Sequence, residues 1–145
     1  MKVLEAMIRG AFVVEAGDNV RRASQMMAED DLGFLPVIDD EKIIGVLTDR
    51  DIVTRCVALG LSGNSRVGAI MTPRVRYCYE DEDLDHVIEN MAELQIRRMP
   101  VLNRAKRLVG ILSLADAART YSPDAVGIAF SGVVSPIPET QLRLI

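Results

Sequence analysis

Two short stretches of this 145-residue chain have side chains suited to holding a small polar molecule: Thr48-Asp49-Arg50-Asp51 and Ser113-Leu114-Ala115-Asp116. Each places a hydroxyl three residues before a carboxylate, directly after an apolar run. One reading is a helix-capping box, in which hydroxyl and acid only satisfy free backbone N–H groups. The other uses the same physics for a ligand. A helix start with free N–H groups attracts phosphate, the hydroxyl adds a donor, and an Asp one turn in accepts two hydrogen bonds from a vicinal diol, as an acid does for ribose in dinucleotide folds. Hydroxyl and carboxylate together then describe a sugar with its phosphate.

Arg97-Arg98 precede the strand-like Met99-Pro100-Val101. They offer guanidinium forks for a phosphate, or are simply a solvated pair at a strand end. The equivalent place in the first half of the chain holds Gly33-Phe34, so charge there has to come from Arg50 or Arg76.

These positions are equivalent because the chain is written twice, and a repeat fixes architecture before any local reading does. With a shift of 64, Met7 falls on Met71, Met27-Ala28-Glu29 on Met91-Ala92-Glu93 and Pro36-Val37 on Pro100-Val101. With a shift of 65, Gly45, Leu47 and Asp51 fall on Gly110, Leu112 and Asp116. Residues 11–14 and 75–79 are β-branched or aromatic runs that predict strands. Acidic turns follow, with Asp18 in one copy and Asp81 or Asp83 in the other placed to cap helices. Those helices bury Val20, Ala23, Met26 and Met27, and Leu84, Val87, Ile88 and Met91.

Two apolar strands joined by a turn come next, then a second helix, from Asp49 to about Leu59 and from Leu114 to about Tyr121. The expected fold is α/β (α+β): two β-α-β-β-α repeats, 1–65 and 66–121, around a pseudo-two-fold axis. A tail, 122–145, has Val126, Ala129, Phe130 and Val133 on one helical face, with Ser135-Pro136 ending it. A half this small buries only ~60% of its unfolded surface, so the halves should share contacts.

With 49% hydrophobic but only 4% aromatic residues, the core must come from aliphatic side chains. A net charge of -4 lacks the positive field of a nucleic-acid binder. The N-terminus reads as neither signal peptide nor membrane span, so a cytoplasmic protein is expected. Cys56, Cys78 and the single His86 make no zinc motif and no nucleophile–base pair, so neither metal nor catalysis is expected, and the cysteines read as core residues.

The repeated order, the Pro-Val strand and the Gly-x-x-[ST]-x-x-Asp ending resemble tandem cystathionine-β-synthase-type (CBS) domains over about residues 1 to 121. The short chain and its Ser-Pro tail are similar to small stand-alone prokaryotic members. The resemblance implies two clefts for adenosine ligands such as AMP, ADP or ATP, and a regulatory homodimer rather than an enzyme. It implies that Asp51 and Asp116 hold ribose, that Thr48 and Ser113 support ribose or phosphate, and that Arg98 binds phosphate. Adenine would rest on Ala11-Phe12 in the Asp116 cleft and on Val75-Arg76 in the Asp51 cleft. The competing expectation is a homodimeric scaffold that docks a protein partner and uses both boxes only as caps.

Overall fold

A computed structural model describes residues 1–133; the helix stop expected at Ser135-Pro136 lies outside them. The first repeat contains α1 (Val3–Ala6), β1 (Ile8–Arg9), β2 (Val14–Glu15), α2 (Val20–Asp30), β3 (Phe34–Asp39), β4 (Lys42–Thr48) and α3 (Asp49–Ile52). The second contains α4 (Val67–Ile70), β5 (Cys78–Tyr79), α5 (Leu84–Glu93), β6 (Arg98–Leu102), β7 (Leu108–Ser113) and α6 (Leu114–Thr120), and α7 (Pro123–Val133) follows. In each repeat a parallel pair leads into an antiparallel hairpin, β2-β3-β4 and β5-β6-β7.

The two repeats exchange their beginnings. β1 leaves the first repeat and pairs antiparallel with β7 of the second, Ile8 opposite Ile111. Thr72, the counterpart of Ile8 by the shift of 64, pairs with Val46 of β4. Val3, Ala6 and Met7 are buried in the second core, with Leu84, Met91, Val101 and Leu112. Val67 and Ile70 are buried in the first, with Val20, Leu35, Val37 and Leu47. Neither half closes its core without a segment of the other, which meets the burial shortfall of a short repeat.

This exchange corrects the strands expected over 11–14 and 75–79. Only Val14–Glu15 and Cys78–Tyr79 are laddered. The residues before them cross from one sheet to the other and so have no neighbour to pair with; Gly10, at φ +71, takes the turn.

The caps also shift. Asn19, not Asp18, caps α2 by accepting from Arg22 N (2.8 Å), while Asp18 accepts from Glu15 N in the preceding turn. Asp83 precedes α5 but gives no side-chain cap and pairs with Lys2. Asp81 grips Arg104, whose guanidinium lies 4.1 Å from the centre of the Tyr79 ring.

The helix expected from Asp49 to Leu59 changes character midway. After α3 the chain widens into a π-helical turn, Val53–Val57, closed by Ala58 N donating to Val53 O at 2.8 Å. The tail helix buries Val126, Ala129 and Val133 against the second core and turns Phe130 outward.

Both cysteines are free thiols in the cores. Burial pushes the Cys78 thiol up to about 12, with the nearby Glu82 carboxylate adding to the shift. The neutral thiol therefore favours the folded state. That contribution is complete below the unfolded-chain value of 9.0 and is lost as pH rises from there toward about 12. Iodoacetamide at pH 8 should therefore label Cys78 in the native chain at least about 100-fold more slowly than in urea, as read by peptide mass spectrometry.

Candidate functional site

β7 ends at Ser113, and the chain turns directly into α6, whose first N–H groups need acceptors. Asp116 N donates to Ser113 Oγ (3.0 Å), and Ser113 Oγ donates to Asp116 Oδ2 (2.5 Å). The other carboxylate oxygen, Oδ1, pairs with Arg119 one turn on. Asp116 is buried as a residue, yet it forms part of the wall of an open cleft of about 850 Å3.

The cleft lies between the repeats. Arg9, Gly10, Ala11 and Phe12 line it from the crossing segment, and Asp31 to Phe34 from the end of α2 and the start of β3. Arg98, Ile111, Ser113, Asp116 and Arg119 line it from the second repeat. Asp31, the C-cap of α2, sits in the left-handed region (φ 52), as does its counterpart Gln95 (φ 55). Ile8, Phe12, Leu32 and Phe34 form an apolar wall, and the hydroxyl, carboxylates and guanidiniums a polar one. That is the division a pocket for a flat base joined to a polar sugar needs.

Of the residues singled out from the sequence, Ala11, Phe12, Arg98, Ser113 and Asp116 are brought together here. Arg97 is not. Its guanidinium stacks over Phe130 of α7, 5.3 Å from the ring centre. Arg97 precedes β6 and Arg98 is its first residue, and the two side chains go to different surroundings.

The first repeat carries the same motif in a different state. Asp51 N donates to Thr48 Oγ1 (3.1 Å), and Asp51 Oδ2 accepts from Thr48 N (3.0 Å), a closed reciprocal box. Thr72 Oγ1 adds a longer contact to the same oxygen at 3.5 Å. From the π-helical turn, Arg55 donates to Ile70 O (3.3 Å), Met71 O (3.1 Å) and Thr72 Oγ1 (3.2 Å) and lies 3.8 Å from Asp51 Oδ1. Arg55 thus ties Asp51 to the end of α4, where the second repeat crosses into the first.

The counterparts of Arg55 and Thr72 are Thr120 and Ile8, and Ile8 has no polar side chain to offer Asp116. Val75 and Arg76 line a separate hollow of about 240 Å3 with Tyr77, Cys78 and Glu82, among others; Thr48, Arg50 and Asp51 are not among its lining residues. Arg50 is exposed on α3. Thr48 and Asp51 thus stand together at the start of α3, while Val75 and Arg76 line this other hollow.

Sequence reasoning missed Arg9, Arg119, Asp31 and Phe34. A repeat comparison favours positions that match, and Arg9 and Arg119 stand opposite Pro73 and Thr54.

A family model described as the CBS domain matches residues 3–58 and again 67–122. The chain belongs to the CBS-domain family. This CBS pair is 34% identical over 135 residues to Hypoxic response protein 1 of Mycobacterium tuberculosis, covering 92% of this chain and 94% of that one. A crystal structure of Hypoxic Response Protein I with two coordinated zinc ions matches with a TM-score of 0.74 at 36% identity, over 82% of this chain and 98% of that one. The CBS domain pair of protein MJ0100, in complex with 5′-methylthioadenosine and S-adenosyl-L-methionine, matches at 0.73 and 26% identity, over 82% of this chain and 98% of that one. CBSX2 in complex with AMP matches at 0.72 and 26% identity, over 88% and 97% of the two chains.

Among the described residues, no group of three or more His, Cys, Asp or Glu side chains gathers as metal ligands. The one histidine of the CBS pair is exposed on α5 and both cysteines are buried. Among the described residues, no helix is long and apolar enough to cross a membrane.

Proposed function

We propose that this CBS pair is a regulatory module that binds one adenosine-containing ligand, such as AMP, ADP or ATP, in the Asp116 cleft. The observation that carries this reading is the convergence, in an open space of about 850 Å3, of Ala11, Phe12, Arg98, Ser113 and Asp116. In it, adenine packs on Ala11 and Phe12, the ribose hydroxyls donate to Asp116, and Arg98 takes phosphate. AMP and S-adenosylmethionine in related pairs add support.

The walls come from both repeats, so a ligand that touches both favours one arrangement of the halves over others and can pass that preference to a partner surface. A thermal-shift and calorimetry panel of AMP, ADP, ATP and S-adenosylmethionine tests it. Micromolar binding with one ligand per chain is expected; no ligand-dependent shift with any of the four would end the reading.

A second reading, a homodimeric scaffold, is favoured by Val53, Val57, Leu59 and Leu61, exposed together around the π-helical turn. It expects a dimer by native mass spectrometry that survives Asp116→Ala; a monomer at micromolar concentration would remove it.

A further inference from the structure

The Asp116 cleft holds more positive charge than a nucleoside requires. Its ionisable side chains are Arg9, Arg98 and Arg119 against Asp31 and Asp116. Arg119 is paired with Asp116. Among the described residues, neither Arg9 nor Arg98 has a carboxylate within ion-pair distance, and Asp31, on the same wall, pairs with neither. Two unneutralised guanidiniums in a partly enclosed space attract an anion and repel a cation.

Resting on the adenosine reading above, we infer that Arg9 and Arg119 set the specificity of the cleft. They select adenosine ligands with a 5′-phosphate over those with a neutral or sulfonium 5′ group. Arg119 acts by changing partner. Ribose hydroxyls that donate to Asp116 Oδ1 compete for the oxygen that Arg119 holds. The Arg119 side chain is 70% exposed, so an ion pair of that kind is given up at little cost and the guanidinium is free to swing onto phosphate. A sulfonium, by contrast, would meet Arg9 and Arg98 with Arg119 displaced toward it. Neither residue has a basic counterpart, since Pro73 and Thr54 stand at the equivalent places, so these two contacts have no equivalent beside Asp51.

Calorimetry of the full chain with adenosine, 5′-methylthioadenosine, S-adenosylmethionine and AMP, at low and high salt, tests this. AMP should bind at least about 10-fold tighter than adenosine, with S-adenosylmethionine the weakest, and only the AMP advantage should shrink with salt. Arg9→Gln and Arg119→Gln should each lower the AMP-to-adenosine affinity ratio about 5-fold or more, a ratio that a general loss of folded protein does not move. Adenosine or S-adenosylmethionine binding as well as AMP, or a ratio unchanged in both variants, overturns the inference while leaving the adenosine reading intact. Failure of all four compounds, and of ADP and ATP beside them, to bind overturns both.

Discussion

Asp116→Ala should weaken adenosine-ligand binding by about 30- to 150-fold, whereas Asp51→Ala should change it by no more than about twofold. A carboxylate accepting from two ribose hydroxyls makes charge-assisted hydrogen bonds, and about 2–3 kcal/mol for losing them corresponds to that range. Asp51 differs in what surrounds it: Thr48 N donates to Oδ2, Thr72 Oγ1 approaches the same oxygen from the crossing segment, and Arg55, held on the end of α4, lies beside Oδ1. Its loss should appear in stability instead. Removing the box and releasing Arg55 should cost about 1–2 kcal/mol, seen as a fall of about 2–8 °C in the melting temperature of the ligand-free chain. Isothermal calorimetry and a thermal melt on both variants separate the two roles. Two ligands per chain, or equal binding losses in both variants, would show that the closed box at Asp51 opens for ligand and would remove the asymmetry.

Gly110→Ala should be among the most damaging single-methyl changes in the chain. A Cβ there would lie 2.4 Å from Ile8 O, a backbone atom in the β1–β7 pairing that cannot step aside without breaking it. About 2–4 kcal/mol of destabilisation is expected, as for overpacking against fixed structure. The equivalent Gly45→Ala should cost less, because its nearest obstacle is Met71 Sδ at 2.5 Å, the far part of a flexible side chain, although Thr72 O at 2.8 Å still resists. Gly127→Ala is the control: among the described residues no atom beyond the surrounding turn of α7 lies within 4 Å of the added methyl, and an alanine in α7 should be neutral or stabilising by up to about 1 kcal/mol. Urea midpoints for the three variants check the order. Because β1 delivers Arg9 to the cleft, Gly110→Ala should also weaken AMP binding in whatever fraction remains folded.

How legible the site was depended on how far each residue's neighbours lay along the chain. Ser113 and Asp116 were readable because a hydroxyl and an acid three residues apart at a strand end interact locally and recur in the second copy. Phe12 and Ala11 were placed through the family resemblance. Arg119 sits one turn from Asp116 and was within reach of helical spacing. It was passed over because the first copy has Thr54 there.

The sequence by itself determined the duplication, the hairpins with their buried Pro-Val strands, the apolar faces of α2 and α5, and the capping chemistry at Thr48 and Ser113. All of these rest on contacts between residues a few positions apart or on identity between copies. Only the tertiary structure decided that the repeats exchange their first segments, that Gly45 and Gly110 mark the crossing points, and that Arg97 turns to Phe130 while Arg98 faces the cleft. It also decided that two copies of one motif end in different states. Asp51 meets Thr72 because the crossing brings the end of α4 to it, and it meets Arg55 one turn further along its own repeat; Asp116 meets neither kind of residue because Ile8 and Thr120 occupy those places. A motif specifies which hydrogen bonds a carboxylate can make, but the residue that comes to it from the beginning of the other repeat, Thr72 for Asp51 and Ile8 in the Asp116 cleft, is set by the crossing.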